Sequence, residues 1–189
     1  MSDNRVAYEK GRFIDQWGTQ GGGAVVAGLQ PDGDARELEV DTRSQLYTSS
    51  RVFKFILEIP GIGTGSDYAA ADAFGTKFVI PVPVEGTIST IGLLDKDDEG
   101  IVKELVVFDA DFTATTDNSA FAPSDDDLLN CIGVISIDVF YNYSVNQVGF
   151  VTPAFSYVAP NGYLYCQLVT RGVDNIAAGS IPRLFGTIV

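Results

Sequence analysis

Carboxylates are the side chains of this sequence best suited to chemistry. The 189 residues include 25 Asp and Glu but no histidine and only two cysteines. The acids are densest in residues 95–127, which hold 11 of them against two lysines. Such a cluster can bind a hard cation or act as a general acid and base, and each role has its own spacing requirement.

One segment has the beginning of a calcium-binding loop. Asp95, Asp97 and Glu99 are followed by Gly100, so oxygen ligands and a glycine occupy the opening positions of an EF-hand. The bidentate glutamate that closes such a loop would fall at Val106, and the segment is therefore not an EF-hand. We expect a solvated, negatively charged end of the domain here. Calcium near Asp95, Asp97 and Glu99 is the alternative.

The composition excludes most catalytic centres. Without histidine there is no Ser-His-Asp or Cys-His nucleophile, and two cysteines cannot complete a four-cysteine zinc site. Paired carboxylates can hydrolyse glycosides without histidine, but 25 acids supply many such pairs by chance. We therefore predict that the protein is not an enzyme and needs no cofactor. A small hydrolase is kept only as the last alternative.

A glycine-rich segment after the first predicted strand resembles a dinucleotide-binding fingerprint. It reads Gly61-Ile-Gly-Thr-Gly65, but the position of the final glycine is occupied by Ser66. No strand–helix–strand unit surrounds it, and the motif alone specifies little. A surface loop is the prediction we prefer.

Charge and patterning also limit the partners and the compartment. A net charge of −13 argues against nucleic acid, because neutralising phosphates requires clustered Lys and Arg. The first ten residues lack the apolar core of a secretory signal, and no apolar stretch is long enough for a spanning helix. We therefore expect synthesis in the cytoplasm and no membrane partner. Cys131 and Cys166 are expected to be reduced thiols, although the sequence leaves a disulfide open.

Residues 1–44 differ from the rest of the chain. Seven of the 20 glycines lie in the first 35 residues, and glycine raises the entropy lost on ordering. The apolar side chains there are nevertheless too numerous for a solvated tail. We predict an extended arm that becomes ordered against a partner. Its candidate contact residues are Phe13, Ile14, Trp17, Val25, Val26 and Leu29.

From residue 45 onward the pattern predicts strands. In residues 51–59, Phe53 and Phe55 alternate with the polar Lys54, and comparable runs recur between Gly, Pro and Asp turns. Eight strands, or nine with 154–158, predict an all-β antiparallel sandwich over residues 45–189, jelly-roll-like in its topology. The eight predicted strands are 51–59, 76–84, 87–94, 101–109, 130–138, 142–152, 162–171 and 182–189.

Helix is predicted only in short pieces. Ser124 precedes three aspartates and two leucines, so it can cap a short helix within residues 123–129 whose acids favour the positive end of the dipole. A single helical turn through the alanines at 69–71 is a further candidate.

Residues 139–170 carry no charge but contain several tyrosines. Tyr141 and Tyr143 share one strand face, and so do Tyr163 and Tyr165, because side chains alternate along a strand. If these faces are outward, they could stack on sugars or form a subunit contact. Tyrosine combined with depleted charge is typical of interface cores, so we favour a subunit interface at Tyr141, Tyr143, Tyr163 and Tyr165.

Five segments of residues 66–189 carry a resemblance to known proteins. They are Ser66-Asp-Tyr-Ala-Ala-Ala-Asp-Ala-Phe-Gly-Thr-Lys-Phe-Val-Ile-Pro-Val-Pro83, Ile91-Gly-Leu-Leu-Asp-Lys-Asp-Asp-Glu-Gly100, Asp117-Asn-Ser-Ala-Phe-Ala-Pro-Ser-Asp-Asp-Asp-Leu-Leu129, Tyr157-Val-Ala-Pro-Asn-Gly-Tyr-Leu-Tyr165 and Asn175-Ile-Ala-Ala-Gly179. These segments are similar to small virion proteins of tailed bacteriophages. The likeness spans about two thirds of the chain and does not include the arm.

The resemblance implies a capsid decoration, or cement, protein. Proteins of this kind bind the shell of major capsid protein, commonly as jelly-roll homotrimers whose arms reach over neighbouring capsid subunits. The resemblance thus implies a virion structural protein located on the capsid surface, and it implies no catalytic residue. The alternative is the receptor- or carbohydrate-binding head of a tail fibre or spike, in which exposed tyrosines would stack on sugar rings.

Overall fold

The computed structural model describes residues 52–65 and 67–189, together with the backbone of four short strands nearer the N-terminus. The chain divides into two units, Met1–Ser50 and Arg51–Val189. In the first unit, β1 (Ala7–Glu9) pairs antiparallel with β2 (Arg12–Ile14), and β3 (Val26–Leu29) pairs antiparallel with β4 (Ala35–Leu38). The boundary predicted between residues 44 and 45 stays a prediction.

The second unit is built almost entirely from strands. They follow one another with a single short helix between the fifth and sixth of them. In chain order they are β5 (Phe53–Glu58), β6 (Asp67–Tyr68), β7 (Ala73–Pro81), β8 (Glu85–Asp95), β9 (Lys103–Phe108), α1 (Asp125–Leu128), β10 (Cys131–Ile137), β11 (Phe140–Asn142), β12 (Gln147–Val151), β13 (Phe155–Val158), β14 (Tyr163–Thr170), β15 (Asp174–Asn175) and β16 (Arg183–Ile188).

These strands form two main antiparallel sheets. The six-stranded sheet has the order β11-β12-β8-β16-β5, and β13 pairs with the first part of β8. The four-stranded sheet has the order β10-β9-β14-β7, while β6 and β15 form a separate short pair. The predicted class, antiparallel sheets packed as a sandwich, is confirmed at this level.

The main core lies between the two sheets. Ile91 and Leu93 of β8 and Leu184 of β16 are fully buried, in one cluster with Leu105 of β9 and Leu168 of β14. Burying a side chain of this size contributes about 1.5–3 kcal/mol relative to leaving it exposed. Alternation along the strands therefore fixes which face of each sheet is inward.

The four-stranded sheet is also buried on its other face. Val106 and Phe108 point away from the main core and form a second cluster with Val169 and Phe112. Phe112 belongs to the connection of residues 109–130 between β9 and β10, and its ring stacks on Phe108 with centroids 4.0 Å apart. The uninterrupted apolar run at the end of β9 is explained by this burial on both faces.

Two polar side chains fasten the connection to the sheet. Gln167, fully buried, donates from Nε2 to the carbonyls of Gly75 (2.9 Å) and Thr115 (2.7 Å), and its Oε1 accepts from the Thr115 N–H (3.1 Å). Asp117 accepts from the N–H groups of Gly63 (2.8 Å) and Gly75 (2.7 Å). Their hydrogen bonds satisfy backbone groups that burial would otherwise leave unpaired.

Asp117 also holds β6, and with it the short β6–β15 pair, in place. The Tyr68 hydroxyl donates to its carboxylate at 2.9 Å, and Tyr68 itself is buried against Phe74. Burial first, and then the hydrogen bond with the Asp117 carboxylate, raise the pKa of Tyr68 well above its usual value. The phenol is therefore a neutral structural donor at all ordinary pH values.

The predicted helix within residues 123–129 is confirmed. It forms α1, and the Ser124 hydroxyl accepts from the Asp127 N–H at 3.1 Å as an N-cap. Seven of the eight strand predictions are confirmed with shifted ends: the strand predicted at 76–84, for example, begins earlier, as β7.

Two local predictions are wrong. Residues 69–71 form a turn rather than a helical turn, since Ala71 has a positive φ of 76° and the Ala69 N–H donates to the Asp72 carboxylate. The single strand predicted at 142–152 is a hairpin in which β11 returns as β12. Its turn is held by Asn142, whose Oδ1 accepts from the Ser144 N–H at 2.9 Å.

Both cysteines are free thiols. Cys166 is buried in the main core between the sheets, whereas Cys131 packs against the cluster on the opposite face of the four-stranded sheet. Desolvation strongly raises the pKa of the Cys166 thiol, which keeps it protonated and unreactive.

Candidate binding surface

The outward face of the six-stranded sheet is an apolar surface. Cross-strand register places Phe150, Gly92, Phe185 and Ile56 side by side in one row. The neighbouring row contains Tyr141, Val148 and Leu94 on the same face of the sheet. We call these two rows the apolar outer surface; its members are Ile56, Gly92, Leu94, Tyr141, Val148, Phe150 and Phe185.

An aromatic pair lies at the centre of this surface. Phe150 and Phe185 meet edge to face with ring centroids 5.4 Å apart, across Gly92 of the strand between them. A Cβ atom at Gly92 would lie 2.3 Å from the Phe185 ring, so only glycine permits this approach. The pair is nevertheless half open to solvent, since 48% of Phe150 is exposed.

The edge of the surface is polar but neutral. Arg183 and Glu58 continue the second row, and the Glu58 Oε1 accepts from Nη2 of Arg183 at 2.7 Å and from Nε at 3.0 Å. The hydrogen bond and the charge of Arg183 lower the pKa of Glu58. In a chain of net charge −13, these two rows together carry no net charge. An apolar centre with a paired polar rim is the usual anatomy of a protein–protein interface.

The opposite side of the sandwich differs from this surface. There the connection of residues 109–130 covers the outward apolar residues of β9 and β14. Exposed apolar side chains on the six-stranded sheet, such as Ile56 (62% exposed) and Tyr141 (54% exposed), have no comparable cover among the described residues. Large exposed apolar patches are rare on monomeric proteins, and they usually mark interaction sites.

The structure separates the two predicted tyrosine pairs. Tyr141 belongs to the apolar outer surface, and Tyr143 is exposed in the turn of the β11–β12 hairpin. Tyr163 and Tyr165 lie in the other sheet, where Tyr163 is exposed and Tyr165 packs against the cluster beneath the connection. The sequence did not single out Ile56, Phe150 and Phe185 as surface residues.

The acidic segment folds as a self-bonded turn. Asp95 is buried, and its carboxylate accepts from the N–H groups of Asp97 (2.9 Å) and Gly100 (2.8 Å). The Asp97 carboxylate accepts from the Ala177 N–H, so two of the three candidate ligands are engaged with backbone. No group of three or more His, Cys, Asp or Glu side chains suited to a metal ion occurs in the described part of the chain.

The third candidate ligand, Glu99, has a pKa that its surroundings shift. Desolvation, followed by the negative charges of Asp174, Asp97 and Asp95, raises the pKa of Glu99. Burial and the nearby carboxylates thus disfavour the charged form of Glu99.

The remaining sequence candidates are loops and arm residues. Gly63 and Gly65 lie in a loop whose N–H groups donate to Asp117 and to the Ile176 carbonyl, respectively. Of the arm residues, Phe13 and Ile14 are in β2, and Val26 and Leu29 are in β3. Trp17 and Val25 lie outside the described residues. No helix in the described ranges has the length and apolar character needed to cross a bilayer.

Comparison with models of protein families and with curated proteins gives no match for this chain.

Proposed function

We propose that this protein is a virion structural protein that decorates and stabilises the capsid of a tailed bacteriophage. In this proposal it binds the shell of major capsid protein from the capsid surface, acts as a homotrimer and has no enzymatic activity. The apolar outer surface forms the contact between copies, and the N-terminal arm of residues 1–44 binds the shell. Three linked arms raise each other's effective concentration, so a modest contact per arm suffices.

The apolar outer surface is the observation that carries the proposal. On one face of the sandwich, a connection of the same chain covers Val106, Phe108 and Val169, whereas the other face presents aromatic and aliphatic side chains without net charge. Like charges on two copies of a strongly acidic protein repel each other, so contact between copies is favoured at a face where these charges are absent. This surface meets that condition.

The strand order supports a jelly-roll-like topology. The eight longest strands of the second unit are β5, β7, β8, β9, β10, β12, β14 and β16. Among these eight, the first pairs with the last, the second with the seventh, the third with the sixth and the fourth with the fifth. A nested antiparallel pairing of this kind is what the double Greek key of a jelly roll would produce.

The polar residues of the domain also favour a structural role. Asp117 and Asp95 accept hydrogen bonds from the N–H groups of Gly75 and Gly100, and Gln167 donates to the Gly75 carbonyl. Carboxylates and amides used in this way fix loop positions and are not free to act on a substrate.

The mass in solution tests the assembly. Static light scattering of the full chain is expected to give three times the 20.2 kDa of one chain. A monomer across the micromolar range would contradict the subunit contact that the proposal assigns to the apolar outer surface.

Deleting residues 1–44 tests the arm. We expect the truncated chain to keep its β-sheet circular dichroism spectrum and thermal transition but to lose binding to shells assembled from the phage's own major capsid protein, measured by co-sedimentation. The full chain is the control. Saturation of the shells by the truncated chain would show that the arm does not bind them.

A carbohydrate-binding head is the second candidate, favoured by the exposure of Tyr141 and Tyr143 in one hairpin. Exposed tyrosine rings are suited to stacking on sugars. Reproducible binding to a glycan array that is lost in Tyr143→Ala would favour this function over capsid decoration, since Tyr143 lies outside the apolar outer surface.

A further inference from the structure

Strand pairing brings a lysine and an aspartate together at one end of the core. Lys103 begins β9 and lies opposite Thr170 of β14, and the chain turns after β14 so that Asp174 of β15 returns beside it. Both side chains are almost completely buried, at 4% and 1% exposure. The Lys103 Nζ lies 2.5 Å from Oδ2 of Asp174.

The surroundings of the pair are largely apolar. Both residues line a narrow cleft with Asp95, and the other side chains that line it are apolar. The Phe74 ring lies beneath the Lys103 Nζ, with its centroid 4.7 Å away. Among the described residues, neither carboxylate oxygen of Asp174 accepts a hydrogen bond, although Oδ2 lies within ion-pair distance of Lys103. A buried carboxylate with an unsatisfied oxygen is costly, and an ion pair offsets this cost only when its geometry is complete.

We propose that Lys103 and Asp174 condense to form an intramolecular isopeptide bond. A carbon–oxygen bond is about 1.2 Å long, so Cγ of Asp174 lies no more than about 3.7 Å from the Lys103 nitrogen. This distance is close to the separation of about 3–3.5 Å at which held reactants attack one another. The site is thus a modification site made by the fold itself.

The reaction balances without an outside reagent. A proton passes from the ammonium to the carboxylate, which gives a neutral amine and a carboxylic acid. Nζ attacks Cγ, a carbon–nitrogen bond forms, and the carbon–hydroxyl bond breaks. The hydroxyl takes a second proton from the nitrogen and leaves as water. Nothing is oxidised or reduced, and the product is a secondary amide.

The environment favours both the reaction and its product. Desolvation lowers the pKa of Lys103 against the opposing effect of Asp174, which increases the share of nucleophilic neutral amine. The amide carries no charge, so condensation removes two buried charges from a low-dielectric site. Its single N–H can keep the hydrogen bond that Nζ already donates to the Ile101 carbonyl at 2.9 Å.

The bond would join β9 covalently to β15. Lys103 and Asp174 lie far apart in the sequence, so the link would close a long loop of the chain and restrict the unfolded state as a disulfide does. A chain with two free cysteines would gain in this way a covalent cross-link that reducing conditions cannot break.

Mass spectrometry of the full-length folded protein tests the proposal. We expect the denatured chain to weigh less than its sequence by one water molecule. The same loss would arise from a succinimide at Asp32-Gly33, so the link must be located by peptide mapping. Trypsin cuts after Arg171 and Arg183, and an unlinked chain therefore yields residues 172–183 as a free peptide. In the linked chain this peptide stays attached to residues 97–171, uncut at Lys103.

Lys103→Arg is the matched variant, because it keeps the positive charge but a guanidinium does not condense with the carboxylate. It is expected to show the full sequence mass and the free peptide, with folding checked by circular dichroism. Complete recovery of the free 172–183 peptide from the natively folded wild-type chain would overturn the proposal and leave a buried ion pair. A mass loss that maps to Asp32 would overturn it as well.

Discussion

Replacing Gln167 with leucine is expected to lower the free energy of unfolding by roughly 3–5 kcal/mol, measured by urea denaturation. Leucine matches the size of glutamine but removes all three of its hydrogen bonds. The Gly75 carbonyl and both backbone groups of Thr115 then lose their partner in a site where Gln167 is fully buried. Each unsatisfied buried group costs about 1–3 kcal/mol.

The loss of stability in Gln167→Leu should be greatest in one part of the domain. Gln167 fastens the connection of residues 109–130, so Gln167→Leu should speed amide hydrogen exchange in that connection more than in β8 or β16 of the other sheet. Exposure of Val106 and Phe108 beneath the loosened connection should increase binding of a hydrophobic dye.

Gln147 provides a matched control. Gln147→Leu makes the same chemical change, but its side chain is half-buried and donates one hydrogen bond, to the Asp98 carbonyl at 2.9 Å. Its cost should be about 1 kcal/mol, the net value of one hydrogen bond. Equal destabilisation by the two variants would show that Gln167 does not hold the connection.

Sequence periodicity predicted most strands of the sandwich because their burial is one-sided. In β5, Phe55 and Leu57 lie on the strand face opposite Lys54 and Glu58, and this pattern anticipates their inward direction. Local capping chemistry likewise predicted α1, since the Ser124 hydroxyl and its acceptor role are properties of four consecutive residues. Both signals are short-range and can be read without knowledge of the partner strand.

The features that were missed depend on partners distant in sequence. The pairing of β6 with β15 joins residues more than a hundred positions apart, and neither two-residue strand has a periodicity of its own. The buried position of Lys103 beside Asp174 likewise follows from the register of β9 against β14. The sequence shows Lys103 at the start of a mainly apolar strand, but it does not show that Asp174 is its partner.

The apolar outer surface could be predicted from the sequence only in part. Ile56 stands between Lys54 and Glu58 on the face that alternation assigns to solvent, and this anomaly was readable. Its significance depends on Phe150 and Phe185, which reach the same row only through strand order. The sequence analysis predicted an interface at four tyrosines instead, and of these only Tyr141 belongs to the apolar outer surface.

If the proposed trimer forms, Phe150→Asp is expected to convert it into a monomer without unfolding the chain. Phe150 is at the centre of the apolar outer surface, and a carboxylate there would have to be buried without a partner on assembly, at about 3–5 kcal/mol. Every 1.4 kcal/mol is a tenfold change in affinity, so subunit affinity should fall by at least about 100-fold. Light scattering at low micromolar concentration should then report the mass of one chain.

The fold should survive the change because Phe150 is half-exposed and its loss removes mainly the edge-to-face contact with Phe185, about 0.5–1.5 kcal/mol. Leu129→Asp is the control, since Leu129 is 84% exposed, follows α1 and lies on the opposite side of the sandwich from the surface. It introduces the same charge and should leave the trimer intact. A trimeric Phe150→Asp, or a Leu129→Asp that dissociates equally, would remove the apolar outer surface from the subunit contact. The arm would then be the remaining candidate for holding the copies together.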